Sequence, residues 1–368
     1  MTNNFTGCWP VAPTPFKENE DLDLEGMKRV LDCMIDQKVD GICILANYSE
    51  QFLLSDDERE ILTKLCIEHV AGKVPIIVTV SHFSTDIAFK RAKLAKDVGA
   101  NMVMMMPPYH GALLKGNANQ TFEQFRKVSE AGITIMVQDA PLSGVDLSVD
   151  LLVKMAKEIE HVKCFKIECA QAANKLRALI NKGGSAIEGP FDGEEGITLF
   201  ADLEAGAKGN MSSAMLPDLI GPLVKSYITG NKKEAENEYN RVLPLINYEN
   251  RQCGFRATKT VFKEGGVIKS DVCRHPIPSL DENTKKGLLD LANKNLKIDL
   301  PLGMNEVVTP ELEELYDSLS PEGKAGFVGN RYMFNRIGEG SETRISLVDA
   351  QKAFMMDLIT VSYTHLRA

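Results

Sequence analysis

The sequence predicts an α/β protein, a (β/α)8 TIM barrel with a C-terminal helical appendage. Short apolar runs alternate with helix-length amphipathic segments from about residue 8 to residue 230, which gives eight strand–helix repeats. A doubly wound sheet is the alternative architecture. It is weakened by the count of eight and by the absence of a Gly-x-Gly-x-x-Gly motif after the first run.

The eight runs are apolar on both faces, which is typical of parallel strands that are covered from both sides. They are Cys8–Ala12, Gly41–Leu45, Pro75–Val80, Met102–Met106, Ile133–Val137, Val162–Ile167, the short and weak Ala186–Ile187, and Gly209–Met211. The active site of such a barrel lies at the carboxyl ends of its strands. We therefore look for chemistry in the residues that follow each run.

Apolar residues at helical spacing predict a helix after each strand. The first helix contains Leu24 to Ile35, and the second opens on a capping box, Ser55-Asp-Asp-Glu58. The remaining predicted helices of the barrel are Thr85–Val98, Thr121–Ala131, Ser148–Ile159, Ala170–Asn181, Glu194–Ala205 and Pro217–Thr229.

The pattern divides the chain into three parts. Residues 1–230 form the predicted barrel, and residues 231–300 form a helical appendage with helices at Lys232–Leu245, Ala257–Lys263 and Asp281–Leu296. Residues 301–368 do not continue either pattern. We interpret them as an extra tail. It is either a truncated second domain or a segment that packs on the barrel.

The composition excludes several classes of protein. The chain has 368 residues, and 42 basic against 51 acidic side chains give a net charge of −9. This balance argues against a nucleic-acid or anionic-membrane partner, and no apolar run approaches the roughly 18 residues that span a bilayer. The N-terminal residues lack the basic and apolar regions of a signal peptide.

The cysteines and histidines indicate the compartment and argue against a metal. The eight cysteines form no Cys-x-x-Cys pair, and several lie in apolar stretches, as Cys43 does. We interpret them as buried, reduced thiols of a cytoplasmic protein. The six histidines do not cluster at the spacing of metal ligands. We expect no metal site and no cofactor.

The sixth run carries the strongest candidate for chemistry. Because side chains alternate along a strand, Cys164, Lys166 and Glu168 share one face, which would point into the barrel mouth. Burial and nearby cations lower the pKa of a lysine and free its amine for Schiff-base formation. The alternative is a Lys166–Glu168 ion pair that merely fills the barrel.

The second run ends in a loop of small and hydroxyl residues, Leu45 to Gln51, directly before the capped helix. Backbone N–H groups and side-chain oxygens in such a turn can hold an anion, and a carboxylate is one such anion. The alternative is an ordinary polar loop.

Several motifs occur together in a recognisable order and spacing. They are Pro10-Val-Ala-Pro-Thr-Pro-Phe16, the 45–51 loop followed by Leu54-Ser-Asp-Asp-Glu-Arg59, Met106-Pro-Pro-Tyr109 and the Lys166 strand. Over roughly residues 5 to 300 the sequence resembles the dihydrodipicolinate synthase / N-acetylneuraminate lyase family. The resemblance implies a barrel with a C-terminal helical segment, a Schiff base between Lys166 and a 2-keto acid, and a homo-oligomer, namely a tetramer.

Two motifs depart from the usual pattern of this family. Ala46-Asn-Tyr-Ser-Glu50 stands where the family usually has Gly-Thr-Thr-Gly-Glu. Gln138 stands at the end of strand five, where the family usually has a tyrosine that relays protons. A glutamine cannot act as an acid or a base. The usual aldolase and synthase mechanism therefore lacks its proton relay in this chain.

The altered motifs resemble the branch of the family that dehydrates 2-keto-3-deoxy-L-arabonate. The matching stretches are Ile44–Phe52, Pro107–Ala112, Gln138–Pro141, Phe165–Glu168, Glu188–Glu195, Leu245–Gln252 and Arg274–Pro276. The resemblance implies a hydro-lyase of pentose catabolism. Its small-molecule partner, a 2-keto-3-deoxy sugar acid, would lose water and give 2-oxoglutarate semialdehyde.

Two residues are predicted to be catalytic. Lys166 would attack the C2 ketone, and the resulting iminium would acidify the C3 protons. Glu168 lies on the same face of the strand, so we predict that it carries the proton in place of the missing tyrosine.

Five further residues are predicted to contact the substrate. Asn47 and Ser49, with the N–H groups of their loop, would hold the C1 carboxylate. Tyr109 would be a proton relay or an aromatic of a subunit contact. Gln138 and Gly189 complete the predicted set.

Two rival functions remain open. The first is a keto-acid aldolase or synthase of the same family, which would release pyruvate or act as a dihydrodipicolinate synthase does. The second is a barrel that binds sugar acids without catalysis. Retention of Lys166 and Glu168 argues against the second.

Overall fold

The computed structural model describes residues 5–111, 113–140 and 143–295. Contacts divide the chain into one unit of residues 1–263 and 268–298 and another of residues 264–267 and 299–368. We describe the first unit by itself. The predicted tail, residues 301–368, lies outside the described residues, and its interpretation stays a prediction.

Eight parallel strands form the barrel, and each neighbours the strands before and after it along the chain. They are β1 (Gly7–Cys8), β2 (Ile42–Ile44), β3 (Ile76–Thr79), β4 (Met102–Met105), β5 (Thr134–Asp139), β6 (Val162–Ile167), β7 (Gly189–Asp192) and β8 (Gly209–Asn210). The ring closes where β1 pairs with β8 and Val11 bridges to Cys43 of β2. The predicted fold class is confirmed.

A helix follows each strand at nearly the predicted bounds. The helices are α1 (Leu24–Asp36), α2 (Asp56–Val70), α3 (Thr85–Asp97), α4 (Ala118–Ser129), α5 (Val149–Glu158), α6 (Ala172–Gly183), α7 (Leu199–Glu204) and α8 (Pro217–Ile228). The predicted capping box is present: Ser55 Oγ accepts from Glu58 N over 3.2 Å and Glu58 Oε2 accepts from Ser55 N over 2.9 Å.

Three helices continue the chain after the barrel. They are α9 (Lys232–Tyr248), α10 (Arg256–Glu264) and α11 (Glu282–Asn295), and a π-helical turn, Glu249–Cys253, separates the first two. Apolar residues of α7, α8, α9 and α11 share one buried cluster, which contains Leu203, Val224, Val242 and Leu288. Burial of this area holds the appendage on the barrel.

The barrel interior is filled by side chains that alternate inward along the strands. This second cluster contains Trp9, Val11, Cys43, Ile77, Met102, Met104, Met136, Cys164, Phe191 and Met211. Trp9 meets the edge of the Phe191 ring at 6.1 Å between centroids. The interior is therefore a packed core, as in other barrels of this type. Lys166 and Glu168 lie beyond this core, at the carboxyl end of β6.

The largest errors in the predicted boundaries lie around the seventh strand. The strand was predicted at Ala186–Ile187 but spans Gly189–Asp192, because residues 184–186 form a 3-10 turn. Because β7 begins with glycine and proline, its sequence lacks the apolar pattern that predicts a strand. The following helix was predicted from Glu194, but α7 begins at Leu199 since the left-handed Glu195 interrupts the helix. Within the described residues, no helix is long and apolar enough to cross a membrane.

Candidate active site

Lys166 lies at the carboxyl end of β6, and its side chain points into the barrel mouth. The strand pairing sets it opposite Gln138 of β5 and Phe191 of β7. It is 2% exposed. Its Nζ lies 3.2 Å from Glu168 Oε2 and 4.0 Å from Glu195 Oε1. The predicted inward face of the strand is present, with two carboxyl groups around the amine.

The predicted direction of the lysine pKa was wrong for this state of the protein. Burial alone would lower the pKa of Lys166, but the charges of Glu168 and Glu195 outweigh it and raise the pKa above its ordinary value. The prediction counted burial and expected nearby cations, whereas the neighbours are acids. Lys166 is therefore an ammonium ion at rest and must lose a proton before it can attack a ketone.

Glu168 and Gln138 are joined by a hydrogen bond. Gln138 Nε2 donates to Glu168 Oε2 over 2.9 Å, the same oxygen that faces Lys166. The Glu168 backbone N–H donates to Asp139 O over 2.9 Å and fixes the residue at the strand end. Gln138 thus orients Glu168. The glutamine cannot transfer a proton, but it can hold the carboxylate in place by this hydrogen bond.

Glu195 is the residue that the sequence analysis did not assign. It lies in the turn between β7 and α7 with a left-handed φ of 55°, and it is 4% exposed. Gly193 begins this turn because a Cβ there would meet Lys166 Cγ at 2.7 Å. Glu195 Oε2 accepts no hydrogen bond from the described residues. Burial raises the pKa of Glu195 well above its ordinary value, although the charge of Lys166 opposes this.

Glu249 and Tyr48 extend the acidic side of the mouth. Glu249 lies in the π-helical turn after α9, and Ser213 Oγ donates to its carboxylate. Burial raises the pKa of Glu249 to about 7, and the Ser213 hydrogen bond opposes the rise. Tyr48 packs its ring on the barrel interior and on Phe255. Burial, then the charges of Glu195, Glu249 and Glu168, raise its pKa, so the phenol is a neutral donor.

Asn47 and Ser49 lie together in a short 3-10 turn, Asn47–Ser49, that follows β2. Asn47 Oδ1 accepts from Gln51 Nε2 over 2.6 Å, while its Nδ2 meets the weak acceptor Met106 Sδ at 4.0 Å. Ser49 Oγ donates to Ala12 O over 2.6 Å and accepts from Ala46 N. The single hydroxyl proton of Ser49 is therefore used in a bond to the segment that follows β1. Asn47 keeps amide N–H groups that can donate.

Two predicted contacts are not brought to Lys166. Gly189 starts β7 rather than ending it, and a Cβ there would meet Cys164 Sγ at 2.7 Å and Phe5 Cβ at 3.0 Å. Gly189 therefore packs in the core. The prediction placed it at the site because it set the seventh strand too early in the chain. Tyr109 lies in a short antiparallel pair of strands and meets Phe52 edge to face at 6.4 Å. Burial raises the pKa of Tyr109 to about 12.

The arrangement combines one ammonium group with carboxyl groups in different environments. Glu168 has donors on two sides, and Glu195 is buried with an unpartnered oxygen. Such a pair suits a base and an acid in one reaction. The described part of the chain contains no group of three or more His, Cys, Asp or Glu arranged to hold a metal ion.

The comparisons with known proteins agree with this geometry. The sequence model of the dihydrodipicolinate synthetase family matches residues 4–295. The chain is 52% identical over 299 residues to the L-2-keto-3-deoxyarabonate dehydratase of Azospirillum brasilense, which covers 80% of this chain and 97% of that protein.

More distant relatives share the fold and part of the sequence. The 4-hydroxy-tetrahydrodipicolinate synthase of Methanothrix thermoacetophila is 25% identical over 294 residues, 79% of this chain and 97% of that protein. The crystal structure of the dihydrodipicolinate synthase of Rhodopseudomonas palustris superposes with a TM-score of 0.73 at 27% identity, and the match covers 80% of this chain and 99% of that one.

Proposed function

The chain belongs to the dihydrodipicolinate synthetase family, and from this premise we propose that it is a Schiff-base-forming dehydratase of 2-keto-3-deoxy-L-arabonate. The products are 2-oxoglutarate semialdehyde and water. The observation that carries the proposal is the buried Lys166 between Glu168 at 3.2 Å and Glu195 at 4.0 Å. The 52% identity with the L-2-keto-3-deoxyarabonate dehydratase of Azospirillum brasilense supports the choice of substrate.

The first stage is the formation of the Schiff base. Lys166 gives its extra proton to Glu168, the nearer carboxylate, and the free amine attacks the C2 ketone. Glu168 returns this proton to the C2 oxygen, then takes a second proton from the nitrogen and passes it to the same oxygen, which leaves as water. Glu168 is ionised again when the iminium has formed, and Gln138 holds it in place. The predicted catalytic roles of Lys166 and Glu168 rest on this sequence of proton transfers.

The second stage is the loss of the C4 hydroxyl. Glu168 removes a C3 proton, and the electrons pass through the enamine to expel the hydroxyl, which takes a proton from Glu195 and leaves as water. The burial and raised pKa of Glu195 support its role as the acid. A proton then moves from C5 to C3, which leaves an enol at C4 and C5. The enol becomes the aldehyde as its hydroxyl loses a proton and C4 gains one, and the proton taken up by Glu168 replaces the one that Glu195 gave. Hydrolysis of the imine releases the semialdehyde and restores Lys166.

The Asn47–Ser49 turn supports one orientation of the substrate. It follows β2, and the Asn47 side chain keeps N–H groups that can donate. We place the anionic C1 carboxylate toward Asn47 and the backbone N–H groups of its loop. Gln138 also remains a proposed contact of the substrate.

The experiment that tests the reaction is product analysis. The protein is incubated with 2-keto-3-deoxy-L-arabonate, and semialdehyde and pyruvate are measured in the same sample. Semialdehyde without pyruvate is the expected result. Pyruvate as the main product would favour the aldolase, and no product with either hydroxyl configuration at C4 would contradict the proposed substrate.

A borohydride experiment separates the enzyme from a barrel that only binds sugar acids. A 2-keto acid such as pyruvate, added with borohydride, should leave a covalent adduct on Lys166 that mass spectrometry of peptides can locate. The absence of an adduct would sink the Schiff-base mechanism and favour the binding protein.

We further infer a homo-oligomer, and the family resemblance implies a tetramer. Apolar side chains at the β2 and β4 loops support a subunit contact: Leu113 is 93% exposed, Phe52 61% and Leu114 48%. Tyr109 packs on Phe52 and belongs to the same surface. Sedimentation of the full chain tests the oligomeric state.

The buried cysteines support the reducing cytoplasm as the proposed location of the protein.

A further inference from the structure

Two buried acids behind the active site take no part in the proposed reaction. Asp192 ends β7 and Asp202 lies in α7, and both are 0% exposed. One oxygen of each has a neutral donor: Asn210 Nδ2 donates to Asp192 Oδ2, and Thr198 Oγ1 donates to Asp202 Oδ2 over 2.7 Å. The other oxygens accept from no N–H or hydroxyl donor of the described residues. The two carboxyl groups interact with one another directly.

A hydrogen bond between two carboxyl groups needs a proton on one of them, because an ionised carboxylate is only an acceptor. Two ionised carboxylates in contact would also repel each other strongly in a buried site. Burial, then the hydrogen bond and charge of Asp202, raise the pKa of Asp192 well above its ordinary value. Burial also raises the pKa of Asp202, against the hydrogen bonds from Asp192 and Thr198.

Among the described residues, no cation is bound to the pair that could neutralise a second carboxylate in place of this proton. Lys166 is the cation whose charge reaches Asp192, and it is already held between Glu168 and Glu195. The other titratable groups that interact with the pair are acids, a thiol and a phenol. They are Glu194 and Glu195 from the turn, Cys8 from β1 and Tyr239 from α9.

The pair joins the two ends of the turn that carries Glu195. Asp192 is the residue before the turn, and Thr198, bonded to Asp202, is the residue after it. Between them, Gly193 N donates to Ile167 O over 3.0 Å, and the Tyr239 hydroxyl donates to Ile197 O. The strained φ of Glu195 persists because both ends of the turn are fixed.

We propose that Asp192 and Asp202 share one proton and that this pair positions the turn which holds Glu195 beside Lys166. Both carboxyl groups are ionised in the unfolded chain at neutral pH, so folding takes one proton from the solvent and keeps it between the two acids. The effect on turnover rests on the proposed function. The proton uptake does not, since it needs no substrate.

The uptake is measured from the pH dependence of the free energy of unfolding between pH 6 and pH 8. A carboxyl pKa that is raised in the folded state makes stability fall as the pH rises, and the slope counts the protons that folding binds. In Asp202→Asn, the amide donates to Asp192 in place of the shared proton. We expect the number of protons bound on folding to fall by about one. Glu204→Gln removes an exposed acid of the same helix and should leave the count unchanged. An equal count in Asp202→Asn and the wild type would overturn the proposal.

The positioning role has its own readout. Asp202→Ala removes the contact, whereas Asp202→Asn preserves its shape and hydrogen bonds. With 2-keto-3-deoxy-L-arabonate as substrate, kcat should fall at least tenfold more in Asp202→Ala than in Asp202→Asn, with smaller changes in KM. Adduct formation with pyruvate and borohydride should persist in both folded variants. Equal kcat values in the two variants would contradict the positioning role. If the wild type forms the pyruvate adduct but does not dehydrate the sugar acid, the proposed function fails and the proton count still decides the pair.

Discussion

Within the part of the chain that the structure describes, two lysines are almost completely buried, and their surroundings distinguish a reactive group from a structural one. Lys166 is 2% exposed and Lys259 is 1% exposed. Lys166 lies at the carboxyl end of β6, where Glu195 presents an oxygen without a partner. Lys259 lies in α10 and is enclosed: it pairs with Glu50, donates to Val272 O over 2.9 Å and covers the Phe16 ring at 4.2 Å.

The partners of Lys259 belong to a contact that fixes the β2 loop. Glu50, in the left-handed conformation after the Asn47–Ser49 turn, also accepts from Arg274 N over 3.0 Å. Arg274 forms two hydrogen bonds of 2.8 Å to Glu58 and stacks on Phe16. Lys259 and Arg274 of the appendage therefore hold the loop that we propose binds the substrate carboxylate.

The pKa directions of the two lysines are opposite to a simple expectation. Burial lowers the pKa of Lys259, against the charge of Glu50, while the two carboxyl groups raise the pKa of Lys166. A lowered lysine pKa therefore does not by itself identify the nucleophile in this fold. What distinguishes Lys166 is its place at the carboxyl end of a barrel strand, with a second acid within 4.0 Å of its amine.

The largest expected effect comes from Lys166→Ala. Without the amine no iminium forms, so we expect turnover to fall by a factor on the order of 10⁴ or more. The borohydride adduct should disappear, while the unfolding midpoint in urea stays measurable. Full activity in this variant would remove the distinction between the two lysines.

Loss of either acid beside Lys166 should separate binding from turnover. Glu168→Gln and Glu195→Gln should each lower kcat by roughly 10² to 10⁴, the usual contribution of a positioned acid or base. Both variants should still form a borohydride adduct with pyruvate, but more slowly in Glu168→Gln, because this variant lacks the carboxylate that takes the proton from Lys166. Turnover that persists in Glu168→Gln would show that another group carries the C3 proton.

Lys259→Met should lower the free energy of unfolding and leave adduct formation on Lys166 intact. Removal of the ammonium leaves the Glu50 charge buried without its partner, and such a loss costs about 3–5 kcal/mol. Urea unfolding measures it, and the double variant Lys259→Met/Glu50→Gln should recover part of the loss since the buried charge is gone. The adduct on Lys166 should still form in the folded protein. A stable Lys259→Met variant without the adduct would reverse the assignment of the two lysines.

Ser55→Ala gives the smallest expected effect. It removes one half of the capping box that holds Glu58 for Arg274 and should lower the free energy of unfolding by about 1 kcal/mol. Turnover at saturating substrate should stay close to the wild type. A large loss of kcat would show that the position of α2 controls the reaction as well as the stability.

Much of this architecture follows from local patterns, and the comparison of the two lysines shows where those patterns end. Alternation along β6 predicted that Lys166 and Glu168 share a face, because strand geometry is local. The position of Glu195 depends on a turn whose left-handed residue is not glycine, and no spacing rule indicates it. The error at β7 also moved Gly189 from the core to the predicted site.

The contact between Lys259 and Glu50 could not be predicted for a different reason. More than 200 residues separate the two positions in the chain, and a lysine in a helix is ordinarily a solvated residue. The sequence motif around Arg274 was noticed only through a resemblance. Its partners, Glu20 and Glu58, became apparent from the fold alone.

The hydrogen bonds of Arg274 to Glu20 and Glu58 have a consequence for folding during synthesis. Its guanidinium bonds to Glu20 O across 254 positions of sequence and to Glu58 across 216. A nascent chain can pair its barrel strands as they emerge, but the β2 loop stays without its clamp until residue 274 leaves the ribosome. Competence to bind the substrate is thus among the last properties that the growing polypeptide acquires.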